Sequence, residues 1–342
     1  MTDHEIGMAA ELREAPAVVR RQKNLAEPIA ELAARMRRNP PQVVVTCARG
    51  SSAHAATFGK HLIERYLGIP VAAAAPNIAT VYGERMRLKD QLLLTISQSG
   101  RSDDLAEFAS MAKAAGALTV AIVNDTDSPL AAACHIALPM AAGPELSIAA
   151  TKSFIAALAA LLRLTAAWTG DEALGAATDR LPDRLAAAVE LDWGSAVGVV
   201  AQANSLITIG RGPTLAIARE AALKLKETSN LHAEAFSSAE FQHGPVALVS
   251  PLYPILMFMP TDAAATGMRA LAADLRGKGA ALLSAEHGEA AAGRLPVLAP
   301  DHPDADAVCL IQSFYALAIR IAERRGVDVN RPRHLQKVTR TR

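Results

Sequence analysis

The feature that most constrains this chain is a strand-and-helix alternation that occurs twice. Apolar runs without polar alternation fall at residues 43–47, 71–75, 92–96, 118–123 and 136–140. Helical stretches lie between them. One opens after Gly50-Ser51-Ser52 and is closed by Gly68, one covers 103–115, and a long Ala/Leu helix is expected over 145–168. A strand that is apolar at every position is covered on both faces, and strands alternating with helices build a parallel sheet. The pattern then restarts, with strands predicted at 206–209, 255–259, 281–284 and 296–299 and a helix over 306–324. The offset is about 160 residues, too long for a solenoid and right for a duplicated domain.

The expected fold is therefore α/β, with two tandem domains that each hold a parallel sheet between helices. A charged helical lead-in occupies residues 1–40 and ends at Pro40-Pro41, because proline breaks the helical hydrogen-bond ladder. The first domain spans 41–170, a partly helical linker 171–194, the second domain 195–326 and a polar tail 327–342. A chain of 342 residues, 51% of them hydrophobic, can fill two cores.

Charge narrows the partners. Lys plus Arg number 35 against 34 Asp plus Glu, so no general attraction to nucleic acid or to an anionic membrane is expected. Any bound anion must be caught by a local site. Cys47, Cys134 and Cys309 are odd in number, far apart and unlike a metal-ligand pair, which fits reduced thiols in a cytoplasm. The polar, acidic start is unlike a signal peptide. The most apolar helical stretch, 153–162, is interrupted by Arg163, short of the roughly 18 uncharged residues that span a bilayer.

Three segments carry chemistry. Ser97-Gln98-Ser99-Gly100-Arg101-Ser102 sits between an apolar strand and a helix. Hydroxyls and free backbone N–H groups gather there at the positive end of a helix, which suits a phosphate monoester. The same residues also read as plain helix capping, with Ser102 as N-cap and Asp103-Asp104 in the first turn. Arg49-Gly50-Ser51-Ser52 is a second strand-to-helix loop expected beside the first. The third segment, 219–245, places Glu220, Lys224 and Glu227 at spacings of four and three, hence on one helix face. His232, Glu234, Glu240 and His243 follow, and His243-Gly244-Pro245 makes a rigid polar turn. The bland reading is a solvated salt-bridge face. The functional one is a carboxylate, an ammonium and an imidazole for proton transfer beside a carbonyl. His232 and Glu234 match no metal motif, so no metal and no other cofactor are expected.

These residues resemble the sugar-isomerase (SIS) domain family, in the form of the isomerase half of glucosamine-6-phosphate synthase. The resemblance rests on Gly50-Ser51-Ser52, Ser97-Gln98-Ser99-Gly100, Ala150-Thr151-Lys152, the segment 220–243 and the tail Arg331-Pro332-Arg333-His334-Leu335-Gln336-Lys337. It implies two SIS domains, each a five-stranded parallel sheet in a flavodoxin-like three-layer sandwich. It implies that Ser97, Gln98, Ser99 and Ser102 hold the phosphate, and that Ser51, Ser52 and Ala150 line the sugar. Glu227 would move a proton between C2 and C1, and Lys224 would stabilise charge on the C1 oxygen. His243, supplied by the partner subunit of a homodimer, would open the pyranose ring. Lys337 would close over the sugar and be available for a Schiff base.

The synthase has a glutamine-hydrolysing domain with a cysteine directly after the initiator Met. Here Thr2 follows Met1 and only a short lead-in precedes the first domain. The expectation is a stand-alone deaminase turning glucosamine 6-phosphate and water into fructose 6-phosphate and ammonia, or the reverse. Two alternatives stay open: a related substrate (galactosamine 6-phosphate or a fructosamine-type adduct), and a phosphosugar sensor without turnover. Two departures from the family pattern are Ser102 in place of a threonine and Arg49 in place of a cysteine.

Overall fold

The computed structural model describes residues 7–337. The parts of the lead-in and tail expectations at 1–6 and 338–342 lie outside the described residues. The chain runs α1 (Met8–Arg21), α2 (Ala26–Arg38), β1 (Val44–Ala48), α3 (Gly50–Leu67), β2 (Val71–Ala73), α4 (Asn77–Thr80), β3 (Leu92–Ser97), α5 (Asp103–Ala114), β4 (Leu118–Val123), α6 (Pro129–Ala133), β5 (Ile136–Pro139) and α7 (Lys152–Thr169). It continues through α8 (Glu172–Ala188), α9 (Gly194–Ala201), β6 (Ser205–Gly210), α10 (Thr214–Ser229), β7 (His232–Ser237), α11 (Ser238–Gln242), β8 (Pro254–Phe258), α12 (Ala265–Gly277), β9 (Ala281–Ala285), β10 (Arg294–Leu295) and α13 (Pro303–Arg324).

Two compact units result. One gathers the described residues up to Pro16, Leu146–Thr151 and Arg180–Leu335; the other gathers Ala17–Glu145, Lys152–Asp179 and the described chain from Gln336 on. Each unit has one five-stranded, wholly parallel sheet. The first sheet has the order β2-β1-β3-β4-β5 and the second β10-β9-β8-β6-β7. Both are the same doubly wound arrangement, read from opposite edges. In each, the strand order reverses beside the first strand of the copy, and crevices form there outside the carboxyl ends of the strands.

Central strands are apolar because helices cover both faces: every residue of β3 is buried, and so is all of β4 except Leu118. Phe108 and Leu105 of α5 close one side of the first core. Met268 and Leu275 of α12 do so in the second. α7 and α13 reach the length and apolarity of membrane-crossing helices, yet 83% of an 18-residue apolar stretch in each is buried inside the fold.

Three expectations are corrected. The sequence showed no second strand in the second copy, but β7 is present; His232 and Glu234 are exposed along it while Ala233 is buried. As the edge of its sheet, β7 needs no continuous apolar run. The last strand lies at Arg294–Leu295 and not at 296–299. Pro296 has no N–H to give the ladder, and Leu295 is the buried residue of that pair. The long helix begins at Lys152 instead of 145, because Gly143-Pro144 and the residues after them run without helical bonding.

Candidate functional site

The unit of the first sheet places the serine loops together. β1 and β3 are paired neighbours, with Ala48 opposite Ile96. The loops leaving them therefore start side by side at the point where the strand order reverses. A direct bond ties the first loop to the helix that follows the second: Arg49 Nη2 lies 2.8 Å from Asp104 Oδ2 on the first turn of α5. Asp104 is buried and turned to this partner. Arg49 is thereby placed as a strut between the first loop and α5.

Within the turn, Gly100 N–H donates to Ser97 Oγ at 3.0 Å, and Arg101 N–H to Ser99 Oγ at 3.2 Å. Gly100 has φ +62°, and a Cβ there would lie 2.0 Å from Ser128 Oγ. Only glycine fits both the left-handed backbone and the contact. Ser102 holds the N-cap position of α5, but its side chain makes no capping bond. Plain capping thus leaves that hydroxyl unexplained. Gln98, Ser99 and Ser102 are half-buried, as are Ser51 and Ser52 on the first turn of α3.

The same unit brings Lys337 to Glu145, with Nζ 3.7 Å from Oε2. Glu145 is buried, and its carboxylate also accepts from the backbone N–H and hydroxyl of Ser153. Sequence reasoning missed Glu145, which it read as the first residue of a helix. A carboxylate just ahead of an apolar helix was the available signal.

In the other unit, α10 carries the charged face. Lys224 Nζ lies 2.5 Å from Glu227 Oε2 and 3.5 Å from Glu220 Oε1. The side chains of Lys224 and Glu220 are 1% and 0% exposed, whereas Glu227 is 21% exposed. This is not a solvated salt-bridge face. Ions removed from water persist only when paired and hydrogen-bonded, and Tyr315 OH donates to Glu220 at 3.2 Å. The result is a buried ammonium fixing a carboxylate that still reaches solvent.

β6 supports α10 closely. A Cβ on Gly210 would sit 2.2 Å from the Thr214 carbonyl. His243 is exposed at the end of α11, whose start is fixed by Ser237 and Glu240 bonding to each other. The Ser237 hydroxyl holds the Glu240 carboxyl below the usual range. Ala150 is half-buried in the segment Leu146–Thr151. Among the described residues, no cluster of three or more His, Cys, Asp or Glu is arranged to hold a metal ion.

The geometry defines a class: doubly wound α/β proteins duplicated within one chain, with a serine-rich turn after the third strand of one unit and a buried ammonium–carboxylate pair in the other. The chain belongs to the SIS domain family, whose profile matches residues 40–167 and 200–285. It is 32% identical over 315 residues to the glutamine–fructose-6-phosphate aminotransferase (isomerizing) of Symbiobacterium thermophilum, covering 86% of this chain and 51% of that protein. The chain thus spans about half the length of the curated relatives it matches. A solved structure provisionally described as a phosphosugar isomerase, from Silicibacter pomeroyi DSS-3, is 42% identical. It superimposes with a TM-score of 0.89, over 94% of this chain and 99% of that one. The glucosamine-6-phosphate deaminase of Thermotoga maritima shares the fold at a TM-score of 0.71 and 21% identity, covering 96% and 100%.

Proposed function

We propose that this protein is a phosphosugar isomerase acting as an amino-sugar-phosphate deaminase, converting glucosamine 6-phosphate and water to fructose 6-phosphate and ammonia. The observation that carries this reading is the Lys224–Glu227 pair, a buried ammonium beside a partly exposed carboxylate. Aldose–ketose proton transfer needs that combination: a base that takes and returns a proton, and a cation near the oxygen that becomes negative. In the proposed reaction Ser97, Gln98, Ser99 and Ser102 hold the phosphate, with Ser51, Ser52 and Ala150 along the sugar. His243 opens the pyranose to the aldehyde, which acidifies the C2 proton. Glu227 removes that proton and delivers it to C1, while a proton passes from the C2 amine to the C1 oxygen, leaving a hydroxyl at C1 and an imine at C2. Water adds to the imine carbon and ammonia departs, so no further protein group is needed for nitrogen transfer. Lys337 closes over the ketose end.

The relatives named above are a glutamine–fructose-6-phosphate aminotransferase and a protein described as a phosphosugar isomerase, which supports the substrate class. The proposed assembly is a homodimer in which His243 serves the partner's site. A cytoplasmic setting is part of the reading, supported by three buried free cysteines. Burial pushes the Cys47 and Cys309 thiols up to about 12.

The test incubates the protein with glucosamine 6-phosphate and measures ammonia and fructose 6-phosphate, with galactosamine 6-phosphate and a glycated-lysine phosphate alongside. Release of both products from glucosamine 6-phosphate is expected. Glu227→Gln should lower turnover at least about a thousandfold while substrate binding stays within roughly threefold. A fully active Glu227→Gln would end the assignment.

A further inference from the structure

The unit of the second sheet encloses a cavity of 160 Å³ at the carboxyl ends of its own strands. Its floor is the chain leaving β8 at Met259 and Thr261 and the chain leaving β9 at Glu286; α13 forms one wall. In the first sheet, the loop after the corresponding strand is the serine-rich turn. Here the loop reads Met259-Pro260-Thr261-Asp262 and offers no phosphate cradle. The duplicated fold has kept the crevice and changed its chemistry.

The charged groups in the wall are already ion-paired, and one polar atom, Arg184 Nε, is buried without a hydrogen-bond partner. Arg184 Nη2 lies 2.8 Å from Asp306 Oδ1, and Arg269 Nε lies 2.8 Å from Glu286 Oε1. A charged ligand would bring an unmatched charge into a partly desolvated space, which is costly. The remaining surface is largely apolar, from Leu191, Val297 and Leu310. Two hydroxyls have spent their protons within the protein: Ser313 donates to the Ala188 carbonyl at 2.7 Å, and Thr261 to Asp306 at 2.8 Å. Both therefore present lone pairs and accept. A cavity of about 150 Å³ holds a benzene ring in another protein.

We propose that this cavity is a second small-molecule site, taking a neutral six-membered ring that carries one hydroxyl or N–H donor. Its lining includes no residue of the serine turn and none of α10, and the site does not depend on the reaction proposed above.

The experiment follows the fluorine NMR signal of 4-fluorophenol titrated with the full chain. Saturable binding at about 1 mM or tighter is expected. 4-Fluorobenzoate and 4-fluorobenzylammonium should bind at least about tenfold more weakly. Val297→Trp, at the half-buried rim, and Ala188→Leu should each block the site. If neither variant folds, the charge selectivity on the unmodified protein decides. Three results overturn the proposal: no saturable binding of 4-fluorophenol, equal affinity for the charged analogues, or undiminished binding in a folded blocking variant.

Discussion

At the scale of single residues, the most consequential feature is the ammonium of Lys224 held between two carboxylates in a dry environment. Such a group does little for net stability while intact, but removing one partner leaves an uncompensated buried charge. Lys224→Met is expected to destabilise the fold by about 3–5 kcal/mol, and adding Glu220→Gln should recover part of that loss. Urea denaturation of the single and double variants measures both. The shared face was legible from spacings of four and three. Its burial was not, because charges at such spacings are usually solvated, and the group that satisfies Glu220 is Tyr315, far along the chain on α13. Arg49 shows the same limit. Its charge was visible in the sequence, but its partner Asp104 becomes a neighbour only once β1 and β3 pair.

At the scale of elements, the serine turn was legible because strand, Ser/Gly loop and helix follow one another locally. Gly100→Ala forces a side chain into the left-handed region and against Ser128. The variant is expected to lose roughly 1–3 kcal/mol and to raise KM for the sugar phosphate far more than it lowers kcat. Thermal unfolding and steady-state kinetics check the two parts.

The edge strands were the illegible elements. β7 alternates polar and buried positions inside a segment rich in chemistry-bearing residues, and β10 is too short to leave a pattern. At the entrance of β5, burial lowers the His135 pKa below the ordinary 6.5, with help from Lys113 and Arg35. Its Nδ1 also accepts from the Thr119 N–H at 3.2 Å, a bond the protonated ring would lose. The folded chain thus binds fewer protons here than the unfolded one. The His135 contribution is intact above the unfolded pKa and is lost as pH falls below it. His135→Asn is expected to lose less melting temperature than the parent between about pH 7.5 and about pH 5.5, which calorimetry at the two values tests.

At the scale of the whole molecule, the duplication was plain in the sequence because an offset of apolar runs survives even where identity does not. How the chain is shared between units was not plain. Leu146–Thr151 belongs with residues far from it in sequence, and Glu11 accepts from the N–H groups of Leu146 and Ser147 to secure it. No local pattern announces a tie across that much chain.

The proposed homodimer has a direct test at this scale. His243→Ala and Glu227→Gln should each be inactive alone. After unfolding and refolding together, the mixture should regain about a quarter of the parent activity, since half the dimers would carry one complete site of two. No recovery would place His243 in the same chain's site.

The borders of the two sheets carry a last consequence. β2 has three residues, β5 ends at Pro139, β10 has two residues, and β7 exposes His232 and Glu234 along its length. None of the four offers a long apolar row of unused amides to a stranger. The protein should therefore tolerate crowding during synthesis and storage at high concentration without stacking strand to strand into fibres.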